Sequence, residues 1–356
     1  MSTYIVNGAR TPFGKFGGAL KDVNEIELGV VATREAIRRS GVDAGDIDEI
    51  VFGNVIQTSK SAPYLARQIG LKSGMRQEST ALTVNRLCGS GLQAIVSGAQ
   101  AIALGEAEVV AAGGTENMSL APHVLRGTRF GSPHRAPVVD DMLWEALTDH
   151  YVGCGMGMTA ENLAVRYGIT RGEQDEFAAG SQRKAAAARS AGRFAAEIAP
   201  VTVKGPKGEE LVVDTDEHIR EGVTAESLAK LKPAFKPDGT VTAGNASGIN
   251  DGAAAVVLAS ERYVERHGLK PLARIVSWAV AGVDPAVMGI GPVPASRKAL
   301  EKAGLSLDDM DLVELNEAFA SQALAVMKEL ELDPVKVNVN GGAIALGHPV
   351  GASGAR

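Results

Sequence analysis

Residues 36–48 read Ala-Ile-Arg-Arg-Ser-Gly-Val-Asp-Ala-Gly-Asp-Ile-Asp, and residues 299–311 read Ala-Leu-Glu-Lys-Ala-Gly-Leu-Ser-Leu-Asp-Asp-Met-Asp. The two stretches align without a gap at an offset of 263, and the same offset places Cys88-Gly-Ser-Gly91 on Gly351-Ala-Ser-Gly354. Two matches in one register predict a duplicated pair of half-structures. Because Arg356 then falls on Gln93, we expect the second half to be C-terminally incomplete; a naturally shortened second half is the alternative.

Strand-like and helix-like segments alternate along the first half. The apolar patterns predict strands at Tyr4–Val6, Ile50–Ile56, Ala81–Asn85 and Val109–Ala112, and helices at Glu25–Arg39 and Gly91–Leu104. This alternation predicts an α/β fold whose sheet is largely parallel, with right-handed crossovers. A further strand-like segment at Asp311–Leu315 belongs to the second half.

The middle of the chain has a different composition. Proline, arginine and charged residues become more frequent between residues 119 and 242, where Glu173–Ala191 is a polar helix, and the sheet-like pattern returns at Ala253–Leu258. We therefore predict an N-terminal half formed by residues 1–118 and 243–266, an inserted loop domain at 119–242, and a C-terminal half at 267–356.

Composition and charge exclude several classes of protein. The 356 residues carry 42 acidic and 36 basic side chains, so the net charge of −6 argues against a nucleic-acid binder or a protein of anionic membranes. Two cysteines cannot form a disulfide scaffold. No signal peptide is visible, and prolines interrupt the apolar stretch Ile275–Ala295, so we expect a cytoplasmic protein without a membrane span.

Cys88 is the first candidate catalytic residue. It stands in Val84-Asn-Arg-Leu-Cys-Gly-Ser-Gly91, between a predicted strand and a predicted helix. A thiol at a helix N-terminus is expected to have a lowered pKa, and the flanking glycines leave room for a substrate carbonyl. The pattern is also typical of the turn that presents a nucleophile between a strand and a helix. A buried core cysteine is the alternative.

Three further segments are rich in small residues and carry polar side chains. His348 follows glycine in Gly341-Gly-Ala-Ile-Ala-Leu-Gly-His-Pro349, and an imidazole there is suited to accept a proton near neutral pH. Asn316, in Glu314-Leu-Asn-Glu-Ala-Phe319, can orient a water or donate to an oxyanion, or can be a helix cap. Ser247 lies in Ala243-Gly-Asn-Ala-Ser-Gly248, which suits either a wall for an extended ligand or a tight turn.

Together these segments resemble the thiolase family, from Val6-Asn-Gly-Ala-Arg-Thr-Pro-Phe13 to the last residue. The similarity is close both to acetyl-CoA acetyltransferases and to 3-ketoacyl-CoA thiolases. It implies a duplicated α/β thiolase fold with the loop domain over the site, and a homodimer or homotetramer. The substrates would be coenzyme A thioesters, with no cofactor and no metal.

The resemblance also implies roles for individual residues. Cys88 would be the nucleophile that becomes acylated, His348 would activate it, and His348 with Asn316, through a water, would stabilise the thioester oxygen of the second substrate. Coenzyme A would contact Met156, Arg220, Ser227, Ala234, Phe235, Ala243, Ser247, Ala318 and Phe319. Arg220 and the nearby lysines would supply positive charge for the nucleotide phosphates.

The implied reaction is the reversible Claisen condensation of two acetyl-CoA to acetoacetyl-CoA and CoA. Members of the family place a second cysteine in a Cys-x-Gly-Gly-Gly-type segment near the C-terminus, which this sequence does not reach, and Cys154 is not that residue by position. We therefore expect acylation at Cys88 without complete condensation. Met156 and Phe235 favour a short acyl group.

Three alternatives stay open. The chain could be a 3-ketoacyl-CoA thiolase of fatty-acid β-oxidation, or a thiolase-like protein that binds acyl-CoA without turnover. A Cys–His protease is formally possible, although nothing in the sequence indicates a peptide-binding cleft.

Overall fold

The computed structural model describes residues 2–131 and 136–356; residues 132–135, within the predicted loop domain, lie outside the described residues. The strands are β1 Thr3–Arg10, β2 Gly14–Lys15, β3 Glu49–Gly53, β4 Thr80–Val84, β5 Val109–Asn117, β6 His123–Arg126, β7 Val138–Asp141, β8 Thr148–Asp149, β9 Cys154–Gly155, β10 Val201–Lys204, β11 Glu210–Val213, β12 Asn250–Ser260 and β13 Ala273–Ile275. The helices are α1 Glu25–Ser40, α2 Leu65–Lys72, α3 Ser90–Leu104, α4 Met142–Ala146, α5 Met156–Tyr167, α6 Arg171–Ser190, α7 Ala225–Ala229, α8 Glu261–His267, α9 Pro292–Ala303, α10 Ala320–Glu329 and α11 Ala343–Leu346.

The main sheet has the strand order β13-β1-β12-β5-β3-β4, and the short β2 pairs with β12. Strand β3 runs parallel to β4 and to β5, whereas the β13–β1, β1–β12 and β12–β5 pairs are antiparallel. The α/β class is therefore confirmed, but the prediction of a largely parallel sheet was wrong. The sheet is mixed because β12 joins it antiparallel to β5 after the long excursion through residues 119–242.

Side chains alternate between the two faces of this sheet, as the two-residue period of a strand requires. On β3, Ile50 and Phe52 pack on the side of α1, while Val51 packs on the side of α3. Alternate residues of β5 likewise join the two cores. Helix α3, which follows Cys88, thus lies on one face of the sheet and α1 on the other.

One segment of the described residues, Leu87–Leu104, has the length and hydropathy of a membrane span, and half of it is buried in the protein. It comprises the turn before α3 and α3 itself, whose Ala94, Ile95 and Ile102 pack in the core against Val110 of β5. This segment is the core helix of the first half. The proline-interrupted stretch Ile275–Ala295 is a different part of the chain.

Both copies of the repeat contain the end of a helix. Gly41, with φ 70°, caps the C-terminus of α1, and Gly304, with φ 66°, caps that of α9. These left-handed conformations favour glycine over other residues. The predicted strand at Asp311–Leu315 was wrong, because there only Val313 forms a β-bridge, parallel to Val337.

Residues 119–242 contribute the hairpins β6–β7, β8–β9 and β10–β11 and the helices α4 to α7. A buried ion pair fastens this region to the sheet: Arg10 donates to Asp216 through Nη1 and Nη2, at 2.6 and 2.9 Å. Asp216 also accepts the backbone N–H of Phe13 at 2.8 Å. The region therefore has a fixed attachment beside β1.

Candidate active site

Cys88 lies in a tight turn between β4 and α3. Leu87, directly before it, has φ 47°, a left-handed conformation that is uncommon for a branched residue. Ser90 stabilises the turn, because its Oγ accepts the N–H of Arg86 at 2.8 Å and donates to the carbonyl of Leu87 at 2.6 Å. The predicted strand–turn–helix arrangement is thus present, with the cysteine two residues before the first residue of the helix.

The pKa of Cys88 differs from the expectation. Burial raises the pKa of the thiol to about 11, a backbone hydrogen bond at Cys88 opposes this shift, and the charge of Glu116 adds to it. The predicted lowering by the helix N-terminus was wrong, because loss of hydration on burial raises the pKa more than the backbone hydrogen bond lowers it. Cys88 is therefore a neutral thiol at pH 7 and needs a base to become a nucleophile.

His348 is 5% exposed and is held at three points. Its backbone N–H donates to Asn250 Oδ1 at 2.9 Å. Its ring lies between Ser353 Oγ, 2.5 Å from Nδ1, and Asn316 Nδ2, 3.3 Å from Nε2. The imidazole therefore has a fixed orientation.

The hydrogen bonds assign the tautomer of His348. The Ser353 hydroxyl donates to the carbonyl of Pro349 at 3.1 Å, so its oxygen accepts a proton from Nδ1 of the ring. Nδ1 then carries the hydrogen, and Nε2 has the lone pair that accepts from Asn316. Nε2 is the basic nitrogen of this site.

Burial lowers the pKa of His348 to about 4. The expectation of an imidazole poised near neutral pH was wrong, since the cationic form loses its hydration in this environment. His348 and Cys88 are consequently both uncharged at pH 7 in the free protein.

A second amide fixes the position of Asn316. Asn338, with φ 47°, accepts the N–H of Leu315 and donates to the carbonyl of the same residue, both at 2.8 Å. The backbone directly before Asn316 is therefore held in a fixed conformation. The structure brings Asn316 and His348 together, and Asn316 is not the cap of a helix.

The Cys88 turn and the His348 loop lie side by side. Cys88 packs against an apolar cluster that includes Val350, two residues after His348. A Cβ atom at Gly91, in the first turn of α3, would lie 2.7 Å from the backbone nitrogen of Ala355. The backbone of α3 thus contacts the segment that follows the histidine.

Most of the predicted coenzyme A contacts form one wall. Ser247 donates its N–H to the carbonyl of Ala318 at 2.9 Å, and the Phe319 ring meets the Phe235 ring edge-on, with centroids 6.0 Å apart. The remaining members lie beside these: Ala234 precedes Phe235, Ala243 leads towards Ser247, and Met156 begins the helix α5, on which Phe235 packs.

Arg220 and Ser227 lie on segments that adjoin this wall, since Leu228 packs on Gly244 and His218 packs on Gly248. Arg220 lines a cavity of about 540 Å³ together with Lys15, His218 and Ile249. Ser227 caps α7 in a reciprocal arrangement with Thr224. The same cavity is lined by Lys15, which adds a positive charge, and by Glu217, which carries the opposite charge.

Sequence reasoning missed the residues that hold the histidine. Ser353, Asn250 and Asn338 contact His348 or Asn316, directly or through the backbone. Ser353 lies within Gly351-Ala-Ser-Gly354, and Asn250 lies two residues after the glycine-rich segment Ala243–Gly248. A polar side chain among such glycines was the available signal.

Comparison with known families and proteins yields matches along nearly the whole chain. Residues 3–262 match the family model for the thiolase N-terminal domain, and residues 269–356 match that for the thiolase C-terminal domain. An acetyl-CoA acetyltransferase of Rhizobium meliloti is 55% identical, over 100% of this chain and 90% of the relative. The mitochondrial 3-ketoacyl-CoA thiolase of Homo sapiens is 54% identical, over 99% and 89%.

A crystal structure of the human mitochondrial 3-ketoacyl-CoA thiolase in complex with CoA superimposes with a TM-score of 0.96 at 53% identity. The match covers 100% of this chain and 89% of that one. The chain belongs to the thiolase family.

Proposed function

We propose that this protein is an acetyl-CoA C-acetyltransferase, which carries out the reversible condensation of two acetyl-CoA to acetoacetyl-CoA and CoA through an acyl thioester on Cys88. The observation that carries the proposal is the chain Ser353–His348–Asn316, held beside the Cys88 turn with Nε2 as its basic nitrogen. Relatives at 54–56% identity named acetyl-CoA acetyltransferase support it.

The first half-reaction begins with Cys88 and His348 both uncharged. The Cys88 Sγ–H proton passes to Nε2 of His348 as the sulfur attacks the acetyl carbonyl, and the tetrahedral intermediate expels the CoA thiolate. The imidazolium returns its proton to the departing sulfur. Because a thiolate is both a good nucleophile and a good leaving group, the step runs in either direction.

Asn316 and His348 would bind the oxygen of the second thioester. The Asn316 amide donates towards Nε2 in the free protein, so a water or a substrate oxygen placed between them would meet donors from both sides. This proposal requires that the imidazole be protonated on Nε2 when that oxygen carries charge. Because the first half-reaction returns the Cys88 proton to the departing CoA sulfur, this proton would come from the α-carbon of the second acetyl-CoA as its enolate forms, and would pass to the Cys88 sulfur when the enolate attacks the acyl-enzyme.

Coenzyme A would lie along the wall formed by Ser247, Ala318, Phe319 and Phe235, with Met156 at its inner end. Arg220 and Ser227 would contact the nucleotide part at the outer end, where Lys15 adds charge. The CoA complex of the human relative supports a CoA thioester as the substrate.

A short acyl group is the proposed preference. The side chains around Cys88 belong to a compact apolar cluster of Ile56, Met118, Leu143 and Val350, which leaves little length for a chain. The alternative is a 3-ketoacyl-CoA thiolase of fatty-acid β-oxidation, supported by the mitochondrial relative of nearly equal identity.

Acyl-enzyme formation from acetyl-CoA and from longer acyl-CoAs separates these functions. The acetyl-transferring enzyme acylates Cys88 fastest with the two-carbon group, and each added methylene changes the rate by about 10-fold or more at a discriminating pocket. Equal or rising rates with chain length would favour the fatty-acid enzyme. Binding of CoA without acylation of Cys88 would favour a protein that binds acyl-CoA without turnover.

We propose a homodimer formed through β4. This strand is the last in the sheet, it pairs on one side with β3, and Leu82 at its centre is 46% exposed. Leu87 and Leu92, 41% and 56% exposed, extend the apolar surface beyond the strand. An exposed apolar edge strand favours pairing with another chain. A mass from light scattering equal to one chain would contradict this proposal.

The proposed domain division is 1–118 with 243–266, 119–242, and 267–356. The proposed location is the cytoplasm, where Cys88 and Cys154, both free thiols, would stay reduced. Cell fractionation tests the location, and limited proteolysis near residues 119 and 242 tests the division.

A further inference from the structure

Glu116 is a buried carboxylate with an unusually complete set of donors. It lies near the end of β5 and is fully shielded from solvent. Its Oε1 accepts from Asn54 Nδ2 and from the N–H of Ile56, each at 3.0 Å. Its Oε2 accepts the N–H of Val55 at 3.0 Å and the N–H of Gly351 at 2.9 Å. Four donors match the acceptor capacity of one ionised carboxylate.

Three of these donors come from the segment 54–56, which is tied to the approach to Cys88. The N–H of Asn54 donates to the carbonyl of Val84, the last residue of β4, at 3.1 Å. Asn85 Nδ2 lies 3.5 Å from the carbonyl of Val55. The segment held by Glu116 is therefore the same one that braces the start of the Cys88 turn.

The fourth donor, Gly351, belongs to the loop that carries His348. The turn after the histidine is closed by its own hydrogen bonds, from the N–H groups of Ala352 and Ser353 to the carbonyl of Pro349, at 2.9 and 3.0 Å. Ser353 in turn holds Nδ1 of the ring. A displacement of Gly351 would therefore be transmitted to the imidazole.

The approach at Gly351 leaves no room for a side chain. A Cβ atom there would lie 2.8 Å from Glu116 Oε2 and 3.1 Å from Cα of Asn54, and one at Gly53 would lie 2.9 Å from the carbonyl oxygen of Gly351. Glycine is needed because backbone packs on backbone at this contact. The backbone of the loop thus packs directly on the carboxylate, in addition to the apolar packing of Val350.

We infer that Glu116 is a positioning residue, whose single carboxylate ties the His348 loop to the segment that braces the Cys88 turn and thereby sets the relative placement of base and nucleophile. It touches neither Sγ nor the imidazole, so it acts through Gly351 and through residues 54–56. The inference rests on the proposed function of Cys88 and His348.

The charge state of Glu116 depends on pH. Burial raises the pKa of Glu116 to about 8, although hydrogen bonds from Ile56, Val55 and Gly351 oppose the shift, and the nearby Glu25 adds to it. The carboxylate is therefore charged in the pH range where the Cys88 thiol titrates. The charge of Glu116 also raises the pKa of the Cys88 thiol. Loss of this carboxylate should therefore be visible in the titration of the cysteine as well as in the rate of acylation.

The test compares Glu116→Gln with Glu161→Gln, a matched control. Glu161 is also buried and also accepts backbone N–H groups, from Thr240 and Val241, at 2.8 Å each. In Glu116→Gln, an NH2 group replaces one carboxylate oxygen, so N–H donors that need an acceptor face another donor. We expect the rate constant for acetylation of Cys88 by acetyl-CoA to fall at least 10-fold, with half-saturation by acetyl-CoA changed less than twofold.

A second readout does not depend on acyl transfer. The pH dependence of Cys88 alkylation by iodoacetamide should shift to lower pH in Glu116→Gln, because a negative charge near the thiol is removed, and should not shift in Glu161→Gln. Glu116→Asp keeps the charge but shortens the tether, so it should slow acetylation and leave the alkylation profile in place.

The outcomes distinguish failure of the positioning role of Glu116 from failure of the proposed function. If Glu116→Gln acylates at the wild-type rate, or matches Glu161→Gln in both readouts, the positioning role is overturned. If the wild type is alkylated at Cys88 but is not acetylated by acetyl-CoA, the proposed function fails, and the alkylation profiles still test the inference. If Glu116→Gln does not fold, Glu116→Asp decides: acetylation at the wild-type rate would overturn the inference.

Discussion

Replacement of Ser353 by alanine tests whether the basic nitrogen of His348 is Nε2. In the wild type, Ser353 Oγ accepts from Nδ1, 2.5 Å away, in a ring that is 5% exposed. Without the hydroxyl, the buried Nδ1–H loses its partner, and an unsatisfied buried donor costs about 1–3 kcal/mol. The tautomer with a free Nε2 lone pair is then disfavoured by that amount.

The free-energy change converts directly into a rate. If the cost falls on the reactive tautomer, acetylation of Cys88 slows by about 5-fold to 150-fold, since about 1.4 kcal/mol corresponds to a factor of ten. Half-saturation by acetyl-CoA should change little, because Ser353 lies behind the ring and not on the coenzyme A wall. Quenched-flow mass spectrometry of the acetyl-enzyme gives both quantities.

Ser321→Ala is the matched control. Ser321 is fully buried, and its hydroxyl donates to the carbonyl of Ala160 at 3.0 Å, so its loss has a similar structural cost. We expect the two variants to lose similar stability but only Ser353→Ala to lose acetylation rate. Acetylation of Ser353→Ala at the rate of Ser321→Ala would refute the tautomer assignment.

Three further outcomes follow from the site. Asn316→Ala should leave the rate of Cys88 acetylation within about fivefold of wild type but weaken the site for the second thioester. The weakened site would be detected as loss of exchange between the acetyl-enzyme and added acyl acceptors. An equal loss in both steps would contradict the role of Asn316 at the second thioester. Between pH 7 and pH 5 the wild type should lose about 2 kcal/mol more unfolding free energy than His348→Asn. The reason is that the pKa of His348 is about 4 in the folded protein, so between these pH values the histidine binds a proton only in the unfolded chain. Urea unfolding at both pH values measures the two losses, and equal losses in wild type and His348→Asn would show that burial does not lower this pKa. Phe235→Ala should accelerate acylation by acyl groups longer than acetyl, since the ring packs beside Phe319 on the wall; unchanged selectivity across acyl lengths would place the pocket elsewhere.

The local signals in the sequence were sufficient for most elements of the first half and for the turn that places Cys88 before a helix. The glycine-rich turn before an apolar helix located Cys88, and the glycine-rich loop located His348, because both depend on spacing within about ten residues. Helices α1 and α3 were predicted within a residue of their observed bounds for the same reason.

The missing parts depend on residues that are distant in sequence. The pKa of Cys88 is set by burial and by Glu116, and the loop of His348 is held by Asn250 and Glu116, which lie far along the chain from their partners. The direction of β12 depends on how the chain returns from residue 242, which no local pattern encodes. Polar anchors of this kind become visible only when the sheet is assembled.

The most direct measurement of the central claim is the intact mass of the protein after incubation with acetyl-CoA at pH 7. The account predicts a gain of one acetyl group, about 42 Da, on Cys88, absent in Cys88→Ala and strongly slowed in His348→Asn. An acetyl group that persists in Cys88→Ala, or one that forms at the same rate in His348→Asn, would contradict it.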